Sequence, residues 1–217
     1  MPEPTINPDD YIITRKRKKY RFAKFALSSL CFEFEQWKRR QVDVIEVGAG
    51  DGLFSVELAA LYPDKTFLAL DVKGDRLQKG AYEAEARGLS NISFIRARAD
   101  QIDQLVPARS VQSIWVTFPD PFPKKGSAGR RLTHPTFLML YEKILQPKGE
   151  LYLKHDNDDF FHWSLEQLVA RNWQIKELSF DLHESNLAED SKIMTTYEQR
   201  WVDEGLKTKL VKARYTE

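Results

Sequence analysis

Cysteine is almost absent from this chain. Cys31 stands alone among 217 residues, so no internal disulfide can form, and a reducing compartment is expected. Long apolar runs are missing too. Nothing approaches the roughly 20 apolar residues that a membrane-spanning helix needs. The start, Met1-Pro-Glu-Pro-Thr-Ile-Asn-Pro8, has neither the charged nor the apolar region of a signal peptide. Both absences lead to the expectation of a cytoplasmic protein with no membrane partner. Histidine is scarce, and His134, His155, His162 and His183 have no metal-ligand spacing with the cysteine or with one another, so no metal is expected. Net charge is close to nil at +1, which excludes a uniformly basic protein and makes the clustering of its cations the informative quantity. Internal repeats, low-complexity tracts and a second domain are also lacking.

What is present is an ordinary globular composition, 42% hydrophobic and 30% charged, long enough for one α/β domain with a substantial core. The cations are concentrated in Arg15-Lys-Arg-Lys-Lys-Tyr-Arg-Phe-Ala-Lys24, seven in ten residues with two aromatics between them. Such a run is either a solvated face or a contact for nucleic-acid phosphates, with Tyr20 or Phe22 able to stack on a base. Residues 1–21 are expected to be a basic flexible arm and residues 22–217 a single domain. Phe22, Phe25, Ala26 and Leu30 recur at helical spacing, which predicts a helix to about Trp37.

Strands and helices then alternate. Val42 to Val47 reads as a strand, Gly48-Ala-Gly-Asp-Gly-Leu-Phe54 follows directly, and a helix runs to Tyr62-Pro63. Strand, glycine loop, helix is the opening unit of a doubly wound fold, with a helix N-terminus offered to an anion. Asp71 ends the next strand, about twenty residues on, where an acid can accept both hydroxyls of a ribose. Further strands are read at Asn91–Ile95, Ile114–Phe118, Glu150–Asp156, Trp173–Phe180 and Thr195–Val202, and helices from Lys73, Pro135 and Phe160. The expected fold is thus a doubly wound, mostly parallel, seven-stranded sheet.

One stretch breaks this rhythm. Ile114-Trp-Val-Thr-Phe118 runs into Pro119, Pro121 and Pro123, where neither helix nor sheet can continue. The result is a stiff segment carrying one carboxylate, Asp120, then Phe122 and the cations Lys124, Lys125, Arg130 and Arg131. An acid on a rigid tether beside a ring and a basic loop suits a nucleobase and its phosphates; a plain proline-rich turn is the simpler reading of the stretch alone. Asp156 similarly ends a strand, and serves either a ligand or the cap of the helix that follows. Tyr197 and Glu198 read most simply as a structural pair at a strand end.

The glycine spacing, Gly48, Gly50, Gly52, is one residue shorter than the dinucleotide fingerprint and resembles the loop of S-adenosylmethionine (SAM) methyltransferases of Rossmann-like fold. Taken together, Phe118-Pro-Asp-Pro-Phe-Pro-Lys124, Lys154-His-Asp-Asn157, Thr195-Thr-Tyr-Glu198, Val47-Gly-Ala-Gly-Asp-Gly-Leu-Phe54 and Lys73-Gly-Asp-Arg76 resemble the bacterial tRNA (guanine-N7-)-methyltransferase family, from about Arg15 to Gly205. The resemblance implies transfer of a methyl group from SAM to N7 of a guanine in the tRNA variable loop, with S-adenosylhomocysteine as product. It implies Glu46, Gly48, Gly50 and Asp71 at the cofactor. Asp120 stands at the centre, as both catalytic and cofactor residue. Lys124, Arg130, Arg131, Asp156, Thr195, Thr196, Tyr197 and Glu198 fall at the tRNA. The adenine-side acid of the family falls on Arg98 by ungapped counting; Asp100 replaces it only if the loop shifts, and Ala99 lies between. The chain departs from the pattern at Phe122, where the family has Trp, and at Gly126-Ser-Ala-Gly129, where a basic segment is usual. A monomer or homodimer is expected. Alternatives are a SAM methyltransferase with another substrate, a noncatalytic RNA-binding relative, and a nicotinamide enzyme, which the glycine spacing disfavours.

Overall fold

The computed structural model describes residues 16–216, so residues 1–15 of the expected arm lie outside the described part. Helices α1 (Lys16–Leu27), α2 (Leu53–Leu61) and α3 (Gly74–Ala86) alternate with strands β1 (Cys31–Glu33), β2 (Val44–Val47), β3 (Phe67–Asp71) and β4 (Ile92–Arg96). The second half holds α4 (Ile102–Leu105), β5 (Val111–Thr117), α5 (Pro135–Ile144), β6 (Leu145–His155), α6 (Asp158–Ala170), β7 (Trp173–Ser179), α7 (Thr196–Asp203) and β8 (Lys209–Tyr215). The strands form one sheet in the order β1-β4-β3-β2-β5-β6-β8-β7. All neighbouring pairs are parallel except those of β8, which runs antiparallel to both β6 and β7.

Successive residues of the central strands enter opposite cores, which is why these strands read as continuous apolar runs. Ile45, Val47, Leu68, Leu70, Ile114 and Val116 pack with Leu138 and Tyr141 of α5 and Phe160 and Phe161 of α6. Val44, Phe67, Ala69 and Trp115 pack on the other face with Phe25 of α1, Phe54 and Leu58 of α2 and Leu77 and Ala81 of α3. Helices therefore cover both faces, and the doubly wound fold stands.

Three expectations need correction. The sheet has eight strands, because Cys31–Glu33 adds a short edge beside β4, in register with Phe94 to Arg96. The first helix stops at Leu27 instead of continuing towards Trp37: Ser28 turns the chain, its hydroxyl accepting the Leu30 N–H at 3.2 Å, and Phe32 then packs edge-on against Trp37. Thr195–Val202 is not a strand but the start of α7. Thr195 accepts the Glu198 N–H at 3.0 Å while the Glu198 carboxylate accepts the Thr195 N–H at 3.1 Å, a reciprocal cap that starts a helix. The missing strand is instead β8, whose Leu210, Val211 and Ala213 are buried. No helix among the described residues is long and apolar enough to cross a membrane.

Candidate active site

The chain leaves β2 for β3 on one side and returns to β5 on the other, so the carboxyl ends of β2 and β5 flank a crevice. A cleft of about 860 Å³ opens there, a size in the range of small-molecule sites. Its floor is the glycine loop, where Gly48 and Gly50 hold φ of 75° and 59°, a conformation that side chains with a Cβ resist. Gly50 donates its N–H to Asp71 Oδ2 at 2.9 Å and Lys73 donates to Oδ1 at 2.8 Å. Each Asp71 oxygen thus keeps a lone pair for a ligand hydroxyl. Burial pushes the Asp71 carboxyl above its ordinary range, against the pull of those two N–H groups.

Glu46 lies at the back of the cleft, almost fully buried. Its two oxygens accept hydroxyls from Ser55 of α2 and Thr117 of β5, both at 2.6 Å. Burial raises its pKa to about 7 despite these bonds. A carboxyl with a raised folded-state pKa stabilises the fold most below its unfolded value, and loses that contribution as pH rises to the folded value. Relative to Glu46→Gln, the wild type is therefore expected to lose roughly 3 kcal/mol of stability between about pH 4.5 and 7, and nothing further above. Urea unfolding of both proteins across that range measures it, and parallel curves would rule it out.

The opposite wall is the proline segment after β5. Phe118 and Phe122 hold φ of 47° and 40°, and each precedes a proline, an arrangement costing about 1–3 kcal/mol per residue. The surroundings impose it. The Phe118 N–H donates to the Lys154 carbonyl at 2.9 Å. His155, in the tautomer that carries its proton on Nε2, donates to the Pro119 carbonyl at 2.9 Å and accepts the Asn157 N–H on Nδ1 at 2.8 Å. Arg131 reaches back to the Phe122 carbonyl at 3.1 Å while lying on the Trp163 ring. Asp120, exposed between its prolines, lines the cleft.

The third wall comes from α6 and α7. Asn157 caps α6, its side chain accepting the Phe160 N–H at 2.8 Å. Asp156 is thereby released from capping, and it lines the cleft while Lys209 holds its carbonyl at 2.7 Å. Thr195, Thr196, Tyr197 and Trp201 of the α7 turn also face the cleft, and the Thr196 hydroxyl donates to Asp51 of the glycine loop at 3.0 Å.

Of the residues singled out from sequence, Glu46, Gly48, Gly50, Asp71, Ala99, Asp120, Arg130, Asp156, Thr195, Thr196 and Tyr197 meet at this cleft. Five others lie off it. Arg98 and Asp100 pair with each other through two hydrogen bonds, so the wall beside Asp71 is made by Ala97 and Ala99. Lys124 is exposed at the start of a 3-10 turn. Arg131 braces the proline segment. Glu198 is fully buried on the inner side of α7, accepting from Lys154 Nζ at 2.8 Å and facing His183 at 2.9 Å. Sequence reasoning overlooked Thr117, whose hydroxyl holds Glu46, and His155, which joins the two acidic loops. Their position at strand ends beside Asp120 and Asp156 was the available signal.

The model of a family described as "Putative methyltransferase" matches residues 40–211. A tRNA (guanine-N(7)-)-methyltransferase of Bacteroides thetaiotaomicron is 38% identical over 172 residues, 79% of this chain and 68% of that protein. One from Brevibacillus brevis is 36% identical over 169 residues, 78% of either chain. The chain belongs to this methyltransferase family. Among solved structures, a 16S rRNA methyltransferase superposes with a TM-score of 0.61 at 17% identity, covering 84% of this chain and 90% of that one. A 16S rRNA (adenine(1408)-N(1))-methyltransferase from Catenulisporales acidiphilia, crystallised with SAM, gives 0.55 at 14% identity over 99% and 93% of the two chains. Likeness at that identity speaks for the doubly wound fold alone.

Proposed function

We propose that this chain transfers the methyl group of SAM to N7 of a guanine in the variable loop of tRNA, leaving S-adenosylhomocysteine. The observation that carries the reading is that Asp120 and Asp156, at the ends of adjacent strands, line the same cleft as the glycine loop and Asp71. Membership of the tRNA (guanine-N(7)-)-methyltransferase family supports the tRNA and the atom methylated.

The residues fit both ligands. SAM, when bound, supplies an already activated sulfonium methyl. The glycine loop gives close backbone approach and a helix N-terminus for a carboxylate, and Asp71 retains acceptor capacity for the ribose. Guanine N7 is an in-plane lone pair without a proton, so no general base is required; positioning and electrostatics do the work. A carboxylate that accepts the N1–H and N2–H donors grips the edge of guanine remote from N7 and rejects adenine. Arg130, with its guanidinium 6.0 Å from the Phe122 ring, provides a cation at the mouth for a phosphate.

Incubation of the protein with labelled SAM and unmodified tRNA, followed by identification of the product nucleoside, tests the proposal; methyl label in any position other than guanine N7, or none at all, refutes it. Replacing Asp71 by alanine should weaken SAM binding by about 1–3 kcal/mol, the range for a hydrogen bond to a charged group. Calorimetry measures this, with a melting curve as control because the change also frees the Gly50 and Lys73 amides. A folded variant with wild-type affinity would remove Asp71 from the ribose.

A further inference from the structure

Outside the cleft, α1 and α3 lie side by side and carry an aromatic and basic face that the chemistry above does not use. Tyr20 on α1 and Tyr82 on α3 are exposed, at 47% and 65%. The ammonium of Lys24 stands between them, 5.2 Å from the Tyr20 ring and 5.5 Å from the Tyr82 ring. Phe22, the other aromatic of the basic run, is turned inward instead, stacked with Phe25 and covered by the Arg96 guanidinium.

This face is continuous with the cleft. Arg21 on α1 and Lys79 on α3 line the cleft rim. Lys24 and Tyr82 each follow three residues later, on the same side of their helices. Two cations of these helices are paired with acids, Lys79 with Asp51 at 3.0 Å and Lys18 with Asp75 at 4.0 Å, and Glu85 accepts the Ser28 hydroxyl at 2.6 Å. The face presents Lys24 between two exposed rings, with Arg21 at the rim, and a chain carrying regular negative charges and stackable planes complements it.

We propose that the α1–α3 face binds the RNA strand flanking the target nucleotide, with an unpaired base stacked on Tyr20 or Tyr82 and a phosphate on Lys24. This rests on the tRNA reading of the cleft. It differs from that reading in assigning affinity, rather than chemistry, to residues remote from the methyl donor. The double cation–π contact holds Lys24 against both rings before RNA arrives, so little side-chain freedom is lost on binding.

The test uses the full chain and unmodified tRNA, with binding followed by fluorescence anisotropy from about 50 to 200 mM salt. Combined replacement of Tyr20 and Tyr82 by alanine should weaken binding about 5- to 100-fold, the span of one stacked base. The salt slope, SAM affinity and single-turnover rate at saturating tRNA should not move. Replacing both by phenylalanine should keep affinity near wild type. Lys24→Ala should lower the log–log salt slope by roughly 0.7–0.9. If the wild type transfers methyl to tRNA and the alanine pair binds within about twofold of it, this proposal fails and the tRNA reading survives. Unchanged RNA affinity with an altered oligomeric state would assign the face to a second copy of the chain and overturn it equally. A wild type that binds no tRNA overturns both.

Discussion

Replacing Asp120 by asparagine is expected to lower single-turnover methyl transfer by about 10²-fold or more while SAM affinity changes little. The magnitude follows from what misalignment of a reacting atom costs. Asp120 sits between Pro119 and Pro121 in a segment pinned from three sides, by Lys154 at Phe118, by His155 at Pro119 and by Arg131 at Phe122. On the proposed reading, a carboxylate so held would accept the N1–H and N2–H donors of guanine and leave N7 turned away from it. Asparagine keeps the size and the backbone but replaces one acceptor oxygen with a donor, which opposes a guanine N–H. Asp156→Asn is the comparison, since that carboxylate ends the neighbouring strand and lines the same cleft. If Asp156→Asn abolishes transfer while Asp120→Asn turns over at the wild-type rate, the base is held from β6 and the assignment to Asp120 is refuted. Loss of SAM affinity in Asp120→Asn would make it a cofactor anchor instead.

The second large effect concerns stability. Lys154 and Glu198 are both fully buried, 2.8 Å apart, and burial lowers the Lys154 pKa below its ordinary value against the pull of Glu198. Breaking such a pair on one side typically costs about 3–5 kcal/mol, whereas apolar replacement of both partners is often neutral. Glu198→Met should therefore destabilise strongly, leaving Lys154 with the Ile193 carbonyl at 2.9 Å. Lys154→Met should cost somewhat less, because His183 and the Thr195 amide remain with Glu198. The double methionine variant should recover most of the loss in urea unfolding. Single variants costing under about 1 kcal/mol would mean that the pair is not desolvated as described. The double variant also reports on function. If it regains stability and tRNA affinity, the pair acts only by seating α7; if it regains only stability, the charged pair also sets the shape of the cleft wall that α7 supplies.

These two cases show what the residue order could and could not reveal. Asp71, Asp120 and Asp156 were legible because each ends a buried strand, and strand ends on one edge of a parallel sheet share a crevice. Glu198 was legible as part of a motif but not in its direction, because its partner lies 44 residues away in sequence. Thr195–Val202 has β-branched and aromatic residues at both ends (Thr195, Thr196, Tyr197, Trp201 and Val202) and so imitates a strand; the Thr195…Glu198 capping signature was present and outweighs it. β8 was hidden by Lys209, Lys212 and Arg214. Lys212 and Arg214 instead pair with Glu150 across the sheet, at 3.1 and 2.6 Å, and Lys209 with Asp158 at 2.9 Å. The positive φ at Phe118 and Phe122 had no local signature at all, since a residue before proline ordinarily adopts extended backbone.

The position of β8 has a consequence for how the protein is made. It lies between β6 and β7, antiparallel to both, with Leu210 and Val211 buried. Until the ribosome has released Tyr215, β7 has no pairing partner, β6 shows an open edge, and Lys209 cannot hold the Asp156 carbonyl. The nascent chain can close its first half, β1 to β5, while translation continues, since synthesis at about 5–20 residues per second leaves time for that. The second half must wait, with an apolar edge exposed to chaperones and to other nascent chains. A message broken before the codon for Lys209 would thus yield a polypeptide with its glycine loop intact and the Asp156 wall of the cleft unformed, a product suited to degradation rather than to partial activity.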